Sequence, residues 1–307
     1  MMFRALAVIV FGLISTGWSA EPVKKVLFIG TDGTRWDALE AAQTPHLDAL
    51  IAQGALSVGT EIIAPRETKG DTVSGPGWSN LLCGVWPDKH GSVDNAFKGT
   101  HYAEFPHFFA RIKEARPTLQ TASFSDWGPI STKILSHADE SVGEDAHGHA
   151  AYVEADARLT KACVAHIREK NPDAVMLYLG QVDETGHAKG FHPKVPEYIA
   201  AIERVDGLIG EVVAAIKARP TFAEEDWLIL IGTDHGGVGT GHGGGRQIPE
   251  IRRTFMILNG PSVMPGKIEE QTYQVDIVAS ALTHLGIALK PEWKLDGRAV
   301  GLKTAKP

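Results

Sequence analysis

Short apolar runs recur along the chain, at Val26–Gly30 (VLFIG), 121–124, 174–180 (AVMLYLG), Trp227–Ile231 (WLILI) and 254–258. Runs of this length, closed by glycine or polar residues and rich in β-branched side chains, predict buried strands. Helical periodicity fills the intervals. From Tyr198 to Arg219, the residues Ile199, Ile202, Val205, Ile209, Val212 and Ile216 fall on one side of an amphipathic helix. Thr44-Pro45 opens another, with Thr44 as N-cap, Pro45 at the first helical position, Leu47, Leu50 and Ile51 as the apolar stripe and Gly54 as the stop. Further helices are predicted over 151–170 and 275–285, and one begins near Ser74, where Pro76 suits a first turn. This alternation predicts an α/β fold, a three-layer α/β/α sandwich around a mostly parallel central sheet.

Three of the runs end in an acid. Asp32 follows the first, Asp183 follows the run at 174–180, and Asp234 follows Trp227–Gly232. Ligands bind at the carboxyl edge of open α/β sheets, so all three acids are expected at one edge. His187 lies four residues after Asp183 and shares a helical face with it. His235 adjoins Asp234, and His242 follows across a glycine-rich loop. Each group alone reads equally as a polar turn, but together they give six oxygen or nitrogen ligands, enough for two three-ligand sites of a zinc-like cation. Two cations about 4 Å apart are a common device for phosphoryl transfer. Ser74, expected at a helix N-terminus where an anion is favoured, is either a simple cap or a nucleophile. Asn95, in the turn-rich stretch 84–95, is either a turn residue or an amide donor to a phosphoryl oxygen. His90 reads as a structural hydrogen-bonding residue, and His147 and His149 as surface residues of an acidic loop at 136–149; residues 60–73 read as a loop at the ligand edge.

Composition narrows the classes. A chain of 307 residues, 43% hydrophobic and 22% charged, can bury a full core, and without repeats or a linker residues 21–307 read as one catalytic domain. The net charge of -7 provides no footprint for nucleic acid or an anionic membrane. Residues 1–20 place Arg4 before an apolar stretch that ends in small residues, the grammar of a secretory signal cleaved after Ser19 or Ala20. The stretch is too short for a comfortable membrane span, so a periplasmic or secreted location is expected. Cys83 and Cys163, the two cysteines, read as buried small hydrophobes or a bridge, and two are too few for a four-thiolate zinc site.

Taken together, TDGTRWD at 31–37, TPHLDALIAQGA at 44–55, SGPGW at 74–78, GVWPDKHGSVDN at 84–95, DETGH at 183–187, RVDGLIGEV at 204–212, TDHG at 233–236, GHG at 241–243 and Asn259-Gly260-Pro261 resemble the alkaline phosphatase superfamily, in its nucleotide pyrophosphatase/phosphodiesterase branch. The resemblance implies an alkaline phosphatase-like fold and two divalent ions, with zinc expected, although manganese or iron also suit such ligands. One ion would be held by Asp32, Asp234 and His235 and contact the nucleophile; the other would be held by Asp183, His187 and His242. The family's nucleophile lies ten residues before the glycine of a Gly-x-aromatic-Pro turn, here Gly84, which selects Ser74 over Thr72 and Ser79. Its phosphate-binding asparagine closes a His-Gly-x-x-Asp-Asn string, which selects Asn95. The implied reaction is hydrolysis of a small phosphate ester or nucleotide through a phosphoseryl intermediate, in a site left accessible by the lack of a long cap-forming insertion between the metal motifs.

Two departures qualify the branch. Phosphodiesterases of this group usually carry threonine where Ser74 stands, and serine is the habit of phosphomonoesterases, whose extra substrate charge Lys69 or Arg35 would meet. Trp78 replaces the arginine of the sulfatase motif, which sets that reaction low. A metal-binding exported protein without turnover is the remaining alternative. Oligomeric state is not legible.

Overall fold

The computed structural model describes residues 21–303. The expected signal segment lies outside them. Eight strands, β1 (Val23–Thr31), β2 (Ala55–Glu61), β3 (Thr121–Ser125), β4 (Glu140–Gly143), β5 (Ala174–Leu179), β6 (Glu225–Gly232), β7 (Arg253–Asn259) and β8 (Gly266–Lys267), form one sheet in the order β4-β3-β5-β1-β6-β7-β2-β8. Only β7 runs against its neighbours, so the mostly parallel sheet expected from the alternation is present. The helices are α1 (Trp36–Ala41), α2 (Pro45–Gln53), α3 (Ser74–Cys83), α4 (Pro87–His90), α5 (Phe108–Ala115), α6 (His149–Glu169), α7 (Gln181–Lys189), α8 (Pro196–Lys217), α9 (Pro249–Arg252) and α10 (Asp276–His284).

Strand alternation sorts the core into two layers. Val26 and Phe28 of β1 face α3, α5 and α10 through Trp78, Leu81, Phe108, Ile112, Ile277 and Val278. Leu27 and Ile29 face the other way, against Leu47 and Leu50 of α2, Leu159 and Cys163 of α6, and Ile202, Val205, Ile209 and Val212 of α8. This is the three-layer arrangement predicted. All ten residues of α3 are buried, an unusual fate for a helix containing two serines and an asparagine, and its position against the sheet follows from Gly30. A Cβ at Gly30 would lie 2.2 Å from the Trp78 ring, so only glycine lets the indole rest on β1.

Some expectations need correction. Residues 55–61 form β2, which the chain conceals because Ala55, Ser57, Gly59 and Thr60 make no apolar run; the loop expected at 60–73 therefore starts after Glu61. The acidic stretch 136–149 is not a continuous loop: 140–143 pair with β3 as the edge strand β4, and His149 opens α6. Its exposed, charged composition is that of an edge strand. Thr44 occupies the N-cap of α2, but its hydroxyl donates to Asp48 Oδ1 (3.3 Å) and the first free N–H groups of the helix go to Asp206 of α8. Cys83 and Cys163 are separate buried thiols, which burial pushes up to about 12 and above that range respectively.

Candidate functional site

The central strands β5, β1 and β6 end almost level, with Thr31 opposite Leu179 and Gly30 opposite Gly232. Immediately beyond them the chain delivers Asp32, Asp183 and Asp234, all buried. A tight turn brings the acids together: Gly33 has φ +65, and a Cβ there would meet Asp183 Oδ1 at 2.5 Å. Asp183 and His187 lie one turn apart on α7, with His187 Nε2 3.2 Å from Asp183 Oδ2. His242 arrives from the glycine-rich loop after β6. That loop is tied down by the Gly244 N–H donating to Asp71 Oδ1 (2.7 Å) and by the Thr72 hydroxyl donating to the His242 carbonyl (2.5 Å).

Two sets result, Asp32 with Asp234 and His235, and Asp183 with His187 and His242; within each, one ligand atom per residue lies within 4.8 Å of the others. They adjoin, since the His235 and His242 rings stack at 3.6 Å between centroids and His242 Nε2 lies 3.0 Å from His187 Nε2. All three imidazoles are oriented alike. His187 Nδ1–H donates to the Thr240 carbonyl (2.9 Å), His235 Nδ1–H to the Gly236 carbonyl (2.9 Å) and His242 Nδ1–H to the Thr72 carbonyl (2.8 Å). This orientation turns every Nε2 toward the acids, as the outer hydrogen bond of a metal-ligating histidine does.

The carboxylates carry the complementary signal. Asp32 Oδ1, Asp183 Oδ1 and Asp234 Oδ2 are buried and receive no hydrogen bond, a costly condition for an anion unless a cation meets it. Burial and the Asp32 charge raise the Asp183 carboxyl to about 7 and push Asp234 well above the usual carboxylate range. Burial pushes His235 and His242 down to about 3, keeping both neutral, while the hydrogen bond to Asp183 raises His187 to about 9. Two neutral imidazoles, a third that shares a proton with Asp183, and carboxylate oxygens without partners fit divalent cations, one of which would take that proton's place, and the residues of both sets could each hold one.

Ser74 opens α3 with its Oγ 3.4 Å from His235 Nε2. The neighbouring hydroxyls are committed elsewhere: Thr72 to the His242 carbonyl, and Ser79 to the Gly75 carbonyl (2.6 Å) and Tyr102 (2.7 Å). Asn95 is exposed and its Oδ1 accepts the Gly75 N–H (2.6 Å), which fixes the amide beside Ser74 and leaves its NH2 group unspent. The other expected residues lie apart. His90 is buried between Asn80 Oδ1 (2.9 Å) and the Ser92 N–H (3.0 Å). Arg35 is a structural cation, paired with Asp37 and donating to the carbonyls of Phe191 and Gly237. Lys69 is exposed. His147 is exposed, whereas His149 is only half-buried and meets Thr185 of α7 through Nδ1 (2.9 Å).

Sequence reasoning missed the groups that hold Asp32 in place. Trp78 Nε1–H (2.9 Å) and the Tyr178 hydroxyl (2.6 Å) both donate to Asp32 Oδ2, leaving Oδ1 for the site. Neither position differs from an ordinary core aromatic in the sequence. Asp126 was missed despite a signal, since it follows the run 121–125 as Asp32 and Asp234 follow theirs. A cavity of about 620 Å³ opens alongside, lined by Trp127, Tyr152, Glu144, Asp145, His147 and Glu184 among others. Residues 143–148 of the acidic stretch contribute to this cavity, whereas the loop expected at 60–73 does not.

The model of the type I phosphodiesterase/nucleotide pyrophosphatase family matches residues 26–242, a span that contains all six metal-ligand candidates, Ser74 and Asn95. The human ectonucleotide pyrophosphatase/phosphodiesterase family member 7 is 27% identical over 228 residues, which cover 69% of this chain and 47% of that protein. The chain thus spans about half the length of the curated relatives it matches. Among solved structures, an inactive variant of mouse ectonucleotide pyrophosphatase/phosphodiesterase 5, in complex with AMP, superposes with a TM-score of 0.65 at 15% identity, covering 87% of this chain and 96% of that one. A 2-O glycosaminoglycan sulfatase superposes at a TM-score of 0.69 and 13% identity over 94% of this chain and 76% of that one. At these identities the likeness is one of fold, alkaline phosphatase-like in both cases.

Proposed function

The chain belongs to the type I phosphodiesterase/nucleotide pyrophosphatase family, and from that premise we propose that it is a two-metal hydrolase of phosphate diesters or nucleotides that works through a phosphoseryl intermediate on Ser74. The observation that carries the proposal is the convergence of three histidine Nε2 atoms and three unpartnered carboxylate oxygens beside the one hydroxyl of the α3 N-terminus that is not committed to a carbonyl. Asp32, Asp234 and His235 would hold one ion next to Ser74, and Asp183, His187 and His242 the other. Two such ions, for which we propose zinc, would supply Lewis-acid stabilisation of the charge that develops in the reaction.

The protein's own groups do the rest. Ser74 is the first residue of α3, so a phosphoryl group attacked by its Oγ would meet the positive end of that helix. Ser74 Oγ loses its proton and forms the Oγ–P bond as the ester P–O bond breaks; the departing alcohol takes up a proton. Water then displaces Oγ from phosphorus, and Ser74 regains its proton. The Asn95 amide, fixed through Gly75, donates to a non-bridging oxygen whose charge grows in the transition state. The cavity beside Glu184 supplies no lysine or arginine. Taken as the leaving group's pocket, a cavity with this acidic lining suits an uncharged or cationic alcohol better than a polyphosphate.

A phosphomonoesterase is the second reading, favoured by serine rather than threonine at position 74. Against it, the guanidinium of Arg35 is consumed by Asp37 and two carbonyls. Rates on bis-nitrophenyl phosphate and nitrophenyl phosphate, each with and without chelator, decide between them. A diester rate above the monoester rate, lost on chelation, is expected; the reverse ratio establishes the monoesterase, and chelator-insensitive hydrolysis rejects both. The relatives' names and the residues at 1–20 support export, to a periplasm or the exterior, as the setting for this activity.

A further inference from the structure

Helix α7 carries Asp183 and His187, yet its N-cap is Gly180, which has no side chain with which to satisfy the first free N–H groups. A residue from a different helix takes that place. We infer that Asp156 of α6 is a positioning residue for the Asp183/His187 half of the site, its carboxylate fastening the first turn of α7 and so setting where both side chains point. The inference rests on the proposal that this half holds an ion.

Asp156 is fully buried, and both of its oxygens are spent on α7. Oδ1 accepts the Gly180 N–H (2.9 Å), and Oδ2 accepts the Gln181 N–H (3.2 Å) and the Gln181 side-chain Nε2–H (2.7 Å). The Gln181 Oε1 in turn accepts Arg204 Nε–H (3.0 Å) from α8, so the start of α7 is held from two sides. Asp183 is two residues further along, within the same turn. A rotation of that turn would move Asp183 away from His242, whose Nε2 now lies 3.7 Å from Asp183 Oδ1.

A second acid identifies which charge state does the holding. Asp126, at the end of β3, is fully buried, and neither oxygen meets an N–H or O–H donor. Burial, then the neighbouring Asp156 charge, push its carboxyl well above the usual range. Burial raises the Asp156 carboxyl as well, but hydrogen bonds from Asp126 and from Gly180 and Gln181 lower it, whereas Asp126 has no N–H donor; of the two adjoining acids, Asp156 is the one placed to carry the charge and Asp126 the one to hold the proton between them. Asp156 is thereby an anion directed at a helix N-terminus, the favourable sign for the dipole.

The test is metal titration of chelator-stripped full-length protein with Zn2+, with the Asp183/His187/His242 site identified as the one absent from His187→Ala. Asp156→Asn replaces one acceptor by an NH2 group facing N–H donors. It is expected to weaken that site by 10- to 100-fold, the usual effect of removing a second-shell partner, and to leave the other site within twofold. Asp206→Asn is the matched control, because Asp206 holds the start of α2 in the same way, accepting from Leu47 N–H (2.7 Å) and His46 N–H (3.2 Å), and α2 carries no candidate ligand. It is expected to lower the melting temperature while both affinities stay within twofold. Wild-type affinities in Asp156→Asn, or equal weakening of both sites, overturn the inference. Should Asp156→Asn fail to fold, Gln181→Ala takes its place: at least threefold weakening of the same site supports the inference, and no change overturns it. A wild-type protein that takes up only one ion rejects the two-ion reading, and this inference with it.

Discussion

The two ends of the same three central strands treat buried charge in opposite ways. Where they begin, the buried lysine and arginine each meet an acid. Lys25 Nζ donates to Asn171 Oδ1 (3.0 Å), the Pro172 carbonyl (2.8 Å) and Asp173 (3.4 Å), and Arg219 grips Glu225 through Nε (2.9 Å) and Nη2 (2.8 Å). Where they end, Asp32, Asp183 and Asp234 come together with no lysine or arginine, and each keeps one buried oxygen without a partner. The first end brings its own cations, with Asp226 alone among its acids keeping an oxygen without a partner, whereas at the second three such oxygens converge with no lysine or arginine of the protein's own. The contrast separates an ion-pair cluster that stabilises from an acidic cluster that binds.

The largest expected effect lies at the strand ends. Ser74→Ala should lower kcat by at least ~10^3-fold, as loss of a nucleophile does, while elemental analysis finds the wild-type metal content. An unchanged rate would move the nucleophile elsewhere. At the strand starts, Arg219→Met leaves Glu225 buried without its cation and should cost about 3–5 kcal/mol in urea denaturation, with metal content and activity per folded molecule unchanged. A loss of metal in that variant would show that the two ends are not independent.

Chelation should act in the opposite sense. Removing the ions abolishes activity and lowers the melting temperature, because an ion present at a hundredfold its dissociation constant contributes about 2.7 kcal/mol. A melting temperature indifferent to chelator would mean that the unpartnered carboxylates are neutral acids rather than ligands.

A pH dependence sharpens the comparison further. Burial alone would raise the Glu225 carboxyl, but hydrogen bonds from Arg219, Trp227 and Thr221 outweigh it and hold the group at about 2, below its ordinary 4.5. In this window the unfolded chain binds more protons than the folded one, so the stabilisation is complete above about pH 4.5 and is lost as pH falls towards 2. Urea midpoints across that range should slope in the wild type and flatten in Arg219→Met. The smallest effect is expected in the cavity, where Trp127→Ala removes an aromatic wall worth about 1 kcal/mol and should raise KM for a nitrophenyl ester roughly fivefold with kcat little changed.

How much of this the sequence carries depends on whether a feature is local. Asp32, Asp183 and Asp234 are legible because a strand followed by an acid is a contiguous pattern, and the i,i+4 spacing of Asp183 and His187 needs only helix geometry. Among the elements that escaped, β2 and β4 are edge-side strands with few apolar residues; the partner of β2, Arg253–Asn259, is remote, and β4 is separated from its partner Thr121–Ser125 by the helical turn Ile130–Ile134. The supports of the site escaped for a related reason. Trp78 and Tyr178 look like core aromatics until folding places their polar atoms on one carboxylate, and Asp156 caps a helix that begins 25 residues after it.

The most direct test of the central claim is elemental analysis of purified protein saturated with Zn2+ and passed through a desalting column, for wild type, Asp234→Ala and His187→Ala. The account predicts two ions per chain in the wild type and one in each variant. Fewer than two ions in the wild type, or two in either variant, would contradict it.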